Sequence, residues 1–159
     1  MTRIAPCLWF EDKAEEAAAF YAATFPDSRI KSVNRAPGDY PGGKAGDPLT
    51  VEFTVLGMDF LGLNGKGDGT PFNEAVSFMV YTDDQVETDR YWDAVVGGGG
   101  AEIQCGWCRD RFGVRWQIVP RRLMELMADP DRAKAGRVMH AMMGMRKIDI
   151  AELERAAAG

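Results

Sequence analysis

Apolar and polar positions alternate in short β-branched runs along the chain, and between these runs the apolar positions fall at helical spacing. Residues 4–10 (IAPCLWF) read as a buried strand. Glu11 and Asp12 place acids where a helix dipole favours them, and KAEEAAAFYAATF follows as a helix. Its apolar face holds Ala17, Phe20, Tyr21 and Phe25, and Pro26-Asp27 ends it. Residues 29–34 predict a second strand, and the Gly- and Pro-rich segment 36–48 a loop. Residues 49–55 (LTVEFTV) alternate as a strand, Gly57-Met58 turns, and residues 59–63 return as its hairpin partner. Residues 64–69 are a second loop.

The pattern then restarts. Residues 75–81 (AVSFMVY) predict a strand, and Thr82 with Asp83 cap a helix whose apolar face is Val86, Tyr91, Val95 and Val96. The glycines 97–100 stop that helix. Residues 101–104 predict a short strand and residues 115–119 the last strand, stopped by Pro120. The remainder is helical, with segments at 123–127 and 131–145 and one opened by Asp149; Asp129 and Asp149 are natural caps. Laying Asp12 over Asp83 brings Phe20-Tyr21 over Tyr91-Trp92 and IAPCLWF over AVSFMVY. A repeat of about 71 residues is too long for a solenoid and points to a duplicated βαβββ module. The expectation is one α+β domain over residues 1–159: a first module at about 3–70, a second at about 71–120, and C-terminal helices over 121–159.

Composition narrows the function classes. With 46% hydrophobic and 27% charged residues among 159, the chain has enough apolar material for a real core. A net charge of -5 argues against nucleic acid as a partner, and Arg109, Arg111, Arg115, Arg121 and Arg122 read as a local solvated edge. No signal peptide and no membrane-length apolar run are expected. Three cysteines are too few and too odd in number for a disulfide framework, so a cytoplasmic protein with reduced thiols is the simplest account. Cys105 and Cys108 form a Cys-x-x-Cys. A redox dithiol places its first cysteine at a helix N-terminus, whereas Cys105 here follows a strand. A zinc site would have only Cys7 and His140 left as soft donors.

The segments PCLWF, EEAAAFYAATFPDS, VEFTVLGMDFLGLNG, FNEAVSFMV, DRYWDAVVGGGG, CGW and DRFGVRWQIVP together closely resemble the PhnB-like family. That family belongs to the vicinal oxygen chelate superfamily, with glyoxalase I, bleomycin-resistance proteins and extradiol dioxygenases. The resemblance implies two βαβββ modules forming curved mixed sheets around a cavity, usually in a homodimer. Members are often labelled 3-demethylubiquinone-9 3-methyltransferase. Against that label, no strand, glycine-rich loop and helix unit for a nucleotide-like methyl donor is visible, since the glycines 97–100 follow a helix.

Metal enzymes of the superfamily carry His, Gln or Glu ligands on the first and last strands of each module. By that resemblance the positions fall here at Ala5 or Pro6, at Gly62, at Val76 or Ser77, and at Gln117. Only Gln117 could coordinate, and an amide oxygen is a weak ligand alone. The lone His140 lies far along the C-terminal helices. The expectation is therefore no metal and no cofactor. Candidate ligand-binding residues are Trp9, Asn64, Ser77, Cys105, Trp107, Trp116 and Gln117. Trp9 and Trp116 read more readily as core, Asn64 as a turn residue, and Ser77 as a buried hydroxyl. No catalytic residue is assigned; Glu52, Asp59 and Glu74 are carboxylates near strands with no evident partner. Two classes stay open: a small-molecule-binding protein, or an enzyme acting on a small metabolite in the same cavity. Met139, Met142, Met143 and Met145 on the long C-terminal helix suit either a core or a dimer interface.

Overall fold

The computed structural model describes residues 4–159, so residue 3, where the first module was expected to begin, lies outside it. The chain divides into two compact units, one reaching Thr70 and the other spanning Pro71–Gly159.

In the first unit the elements run β1 (Cys7–Glu11), α1 (Ala14–Thr24), β2 (Arg29–Arg35), β3 (Pro48–Val55) and β4 (Met58–Asn64). The sheet order is β1-β4-β3-β2. β1 lies parallel to β4, and the remaining pairs are antiparallel. β1 is not the wholly buried strand that its composition predicts. Leu8 and Phe10 are buried while Cys7, Trp9 and Glu11 point out, and Ile4, ahead of the strand, is 96% exposed. A sheet covered by a helix on one face buries every second residue only. α1 covers that face with Ala14, Ala17, Ala18 and Tyr21, and Phe20 is only half buried. Small residues let the helix come close: a Cβ on Gly62 would lie 2.9 Å from that of Ala14. The sheet supplies the bulk, with Tyr21 stacked on Phe53 at 5.9 Å and Phe53 on Phe60 at 5.4 Å between ring centroids.

The second unit repeats this topology. β5 (Phe78–Thr82), α2 (Gln85–Gly97), β6 (Ala101–Glu102), β7 (Trp107–Arg109) and β8 (Arg115–Pro120) give the order β5-β8-β7-β6, with β5 parallel to β8. Three helices follow: α3 (Arg121–Met127), α4 (Arg132–Met143) and α5 (Ile150–Ala158). Several local expectations shift. β5 starts at Phe78, three residues later than expected. The cap of α2 is Asp84, which accepts from the Glu87 amide, and Val86 is 78% exposed because the buried face is Thr88, Tyr91, Trp92 and Val95. β7 is an element that hydrophobic patterning did not predict, since three residues are too few to show a period. Asp131 caps α4 in place of Asp129, whose carboxylate instead accepts from the Asp131 amide; Asp149 caps α5 as expected. α3, α4 and α5 close on a core including Leu123, Leu126, Val138, Ile148 and Leu153. Met145 belongs to that core and Met142 packs against it, whereas Met139 and Met143 remain exposed.

The 71-residue repeat aligns the starts of elements, Cys7 with Phe78 and Ala14 with Gln85. Burial follows other offsets. Leu8 and Phe10 match Val80 and Thr82 at an offset of 72, and Ala14, Ala17, Ala18 and Tyr21 match Thr88, Tyr91, Trp92 and Val95 at an offset of 74. Both helices thus bury an i, i+3, i+4, i+7 stripe. The packing counterpart of Tyr91-Trp92 is Ala17-Ala18 and not the aromatic pair Phe20-Tyr21. No helix among the described residues is long and apolar enough to cross a membrane.

Candidate functional site

Successive strand residues face opposite ways, so the sheet of the second unit presents two chemically distinct faces. Val80, Thr82, Cys108, Trp116 and Ile118 form the buried one. The register puts Met79 and Trp107 on either side of Gln117 on the other face, with Arg109 opposite Arg115 beside them. Met79, Tyr81 and Arg109 are exposed there, and Trp107, Arg115 and Gln117 half-buried. The Gln117 amide Nε2 donates to Ser77 Oγ at 2.8 Å, joining β8 to the residue before β5. Arg115 donates through Nε to Glu74 Oε1 at 2.8 Å and also to the Gly113 carbonyl. The Arg115 hydrogen bond holds the exposed Glu74 carboxyl below its ordinary range. The Arg121 guanidinium lies 5.5 Å from the Tyr81 ring centroid.

Trp116 does not share this face. It is 2% exposed, and its indole N–H donates to Asp110 Oδ2 at 2.9 Å. Its neighbour Gln117 points the other way, so the expected pairing of these two residues in one cavity wall gives way to a core role for the tryptophan.

The Cys-x-x-Cys segment resolves into a hairpin turn. Trp107 N–H donates to Gln104 C=O, and Cys105 and Gly106 have φ of 60° and 81°. Two central residues with positive φ mark a type I′ turn, which matches the twist of the strands it joins. The turn's outward amides hold the segment after α4: Cys105 N–H donates to Met145 C=O at 2.8 Å and Gly106 N–H to Arg146 C=O at 2.7 Å. Cys108 lies within β7 on the buried face, wholly inaccessible. Burial, then the nearby Asp110 carboxylate, pushes its thiol from 9.0 up to about 12. Because the folded value is the higher one, the thiol's contribution to stability is intact below pH 9. It declines as pH rises from there toward 12, where the unfolded chain releases a proton that the folded chain keeps. Thiol titration with an aromatic disulfide at pH 8 is expected to label Cys7 and Cys105 in the native protein and Cys108 only after denaturant is added. Three thiols reacting at similar rates in the native state would contradict this burial.

In the first unit, Asn64 is a structural residue at the end of β4. Its Oδ1 accepts from the Ala14 amide at 2.9 Å and its Nδ2 donates to the Pro48 carbonyl at 3.1 Å. It thereby supplies the side-chain acceptor at the start of α1, whose first-turn acids are Glu15 and Glu16 instead of Glu11 and Asp12, and its amide is committed to the fold. Trp9 is 48% exposed on the face of β1 away from α1, with its indole N–H on the Gly65 carbonyl at 2.9 Å. On the same sheet a hollow of about 230 Å³ is lined by Ala5, Lys31, Glu52, Asp59 and Leu61, among others. Lys31 closes an ion pair on Asp59 at 3.0 Å, leaving Glu52 as an exposed carboxylate on that face.

The residues expected by resemblance at metal-ligand positions do not make a donor set for a divalent ion. Gly62 turns toward α1, Ala5 and Pro6 precede β1, and Gln117 is a single amide already donating to Ser77. Among the described residues no three His, Cys, Asp or Glu side chains gather at metal-binding distances. His140 sits exposed on α4. Arg109 was passed over in the sequence as part of a solvated cluster. Recognising β7 is what assigns it a face, and the Trp-Cys-Arg alternation beside Cys105-Gly106 is the one signal that could have done so.

A family model described as 3-demethylubiquinone-9 3-methyltransferase matches residues 2–119. Among solved structures, the chain is similar to the PhnB protein of Bacillus cereus, with 30% identity, 75% of this chain and 99% of that one covered, and a TM-score of 0.66. A protein of Pseudomonas aeruginosa aligns at 18% identity over 76% of this chain and 98% of its own, with a TM-score of 0.60. Lactoylglutathione lyase of Agrobacterium tumefaciens aligns at 18% identity over 76% and 94%, with a TM-score of 0.40. No curated protein matches the chain.

Proposed function

This chain belongs to the family described as 3-demethylubiquinone-9 3-methyltransferase, the PhnB-like family, and from that premise we propose that it is a metal-independent small-molecule-binding protein. The observation that carries the reading is the Gln117–Ser77 pair. It is a half-buried amide and hydroxyl, linked at 2.8 Å, on the sheet face that α2 leaves uncovered. The serine hydroxyl can donate or accept, so the pair can adjust to a ligand's polar group while Met79 and Trp107 on either side offer apolar surface. Among the described residues no nucleophile and base stand together on this face, which favours binding over turnover. The methyl transfer in the family's description lacks support from the residues. The helix N-termini that would cradle a nucleotide-like donor are taken, α1 by Asn64 and α2 by the Asp84 carboxylate. The working unit in this reading is a cytoplasmic homodimer, for which the exposed Met139 and Met143 of α4 offer an adaptable apolar surface.

The test is a thermal-shift screen across metabolites and antibiotics, with and without EDTA. A ligand at a hundred times its Kd stabilises by about 2.7 kcal/mol. Hits are expected to raise Tm equally in EDTA and to lose most of that shift in Gln117→Ala, whose own Tm stays near that of the parent. A shift that EDTA abolishes would refute metal independence. Chemical turnover of the hits, lost in Gln117→Ala, would move the assignment to an enzyme acting on a small metabolite in the same cavity.

A further inference from the structure

On the open face of the second unit's sheet, two arginines stand directly across from each other, Arg109 on β7 and Arg115 on β8. Side chains so placed have Cβ atoms about 5 Å apart, and like charges there repel. Arg115 is balanced: its guanidinium is largely buried, on Glu74 and the Gly113 carbonyl. Arg109 is not. It is exposed, and among the described residues its guanidinium has no hydrogen bond or ion pair. The next residue on the same face of β7 is Trp107, half-buried, whose indole N–H is likewise without a partner among the described residues. Directly opposite Trp107 stands Gln117, whose Nε2 is held by Ser77 and whose Oε1 has no hydrogen bond among the described residues.

We propose that Arg109, Trp107 and Gln117 form a recognition site for a small planar carboxylate carrying a hydrogen-bond donor, such as a hydroxylated aromatic acid. The proposal rests on the binding reading above and names its ligand class. The free guanidinium fork takes the carboxylate in two parallel hydrogen bonds, the geometry for which arginine is better suited than lysine. The bound anion also relieves the repulsion between the two arginines. The indole provides a flat apolar wall for the ring and an N–H donor at its edge. The Gln117 carbonyl oxygen accepts from the ligand's hydroxyl, with Ser77 fixing the amide's orientation. Strand spacing suits a ligand of this size: the two β7 positions lie about 7 Å apart along the strand, roughly the span from a carboxylate to a donor across one aromatic ring. The site has donors for a full carboxylate, and its acceptors are the Gln117 oxygen and the Ser77 hydroxyl. An uncharged or cationic ligand would leave Arg109 unpaired.

The experiment is calorimetric titration of the full chain with 4-hydroxybenzoate, its uncharged isostere 4-hydroxybenzamide, and cyclohexanecarboxylate. The parent protein is expected to bind 4-hydroxybenzoate at least tenfold more tightly than either of the others. Arg109→Gln is expected to bring the acid-to-amide ratio to about one, chiefly through loss of acid affinity. Arg109→Lys keeps the charge without the fork and is expected to retain a preference of a few-fold. Arg111→Gln, outside the site, is expected to behave as the parent. An acid preference that survives Arg109→Gln overturns the proposal, and so does failure of the parent to bind any of the three compounds at millimolar concentration. A Gln117-dependent thermal shift from a neutral or cationic compound, alongside either result, would leave the binding reading standing while this one falls.

Discussion

Replacing Asp110 by alanine is expected to cost about 3–5 kcal/mol of stability, the upper range reached when a buried hydrogen-bond network is broken. Asp110 is wholly buried, and its carboxylate organises the turn between β7 and β8. Oδ1 accepts from the Phe112 amide at 2.9 Å and the Val114 amide at 3.0 Å, while Oδ2 accepts from the Trp116 indole at 2.9 Å. Alanine removes the carboxylate acceptor that all three donors share, and losing a buried acceptor costs more than a hydrogen bond contributes. Asp110→Asn keeps the shape but offers one oxygen for both jobs, and about half the loss is expected. Equilibrium urea unfolding measures both. An Asp110→Ala protein within 1 kcal/mol of the parent would show that the turn does not depend on the carboxylate. The outcome also bears on function, because the turn sets the register that puts Gln117 beside Trp107 and Arg115 beside Arg109.

The second large effect is expected at Gly100. Added to this glycine, a Cβ would fall far inside contact distance of the Arg109 and Val95 carbonyl oxygens and 3.2 Å from Asp110 Cα. These neighbours are all backbone, so no rotamer change can make room, and α2 would have to lift from β7. Gly100→Ala is expected to destabilise by about 3 kcal/mol or more, the upper end for overpacking. Gly136 provides the opposite case. It lies inside α4 on an exposed stretch, and nothing comes within 4 Å of where its Cβ would stand. Gly136→Ala is expected to stabilise by about 0.5–1 kcal/mol through helix propensity. Chemical denaturation of the two variants should therefore give shifts of opposite sign, and a Gly100→Ala protein as stable as the parent would disprove the close approach.

Much of the candidate site was legible in the sequence, and the exceptions have physical causes. Ser77 and Gln117, 40 residues apart, were both picked out, and they meet at 2.8 Å because β5 lies parallel to β8. Trp116 and Asn64 were picked out too, but residue type alone does not reveal which way a side chain faces. One step in strand register reverses it, and that step sends Trp116 to the core. Asn64 looked like a turn residue, and its use as the cap of α1 depends on β4 ending beside a helix 50 residues earlier in the chain. Arg109 was missed because β7 is three residues long and its pairing with β8 is non-local.

The sequence by itself determined the α+β class, the duplicated strand–helix–strand order, the C-terminal helices and the scarcity of imidazole and thiol donors, with one histidine and three cysteines. Each of these is written in local periodicity, capping chemistry or composition, which need no knowledge of distant contacts. Only the tertiary structure decided which face each residue occupies: the offsets of 72 and 74 at which burial repeats, the turn in which Cys105 and Gly106 hold the segment after α4, and the Arg109–Arg115 juxtaposition. Those features arise from pairing between segments far apart in the chain, where one residue of register exchanges core for surface.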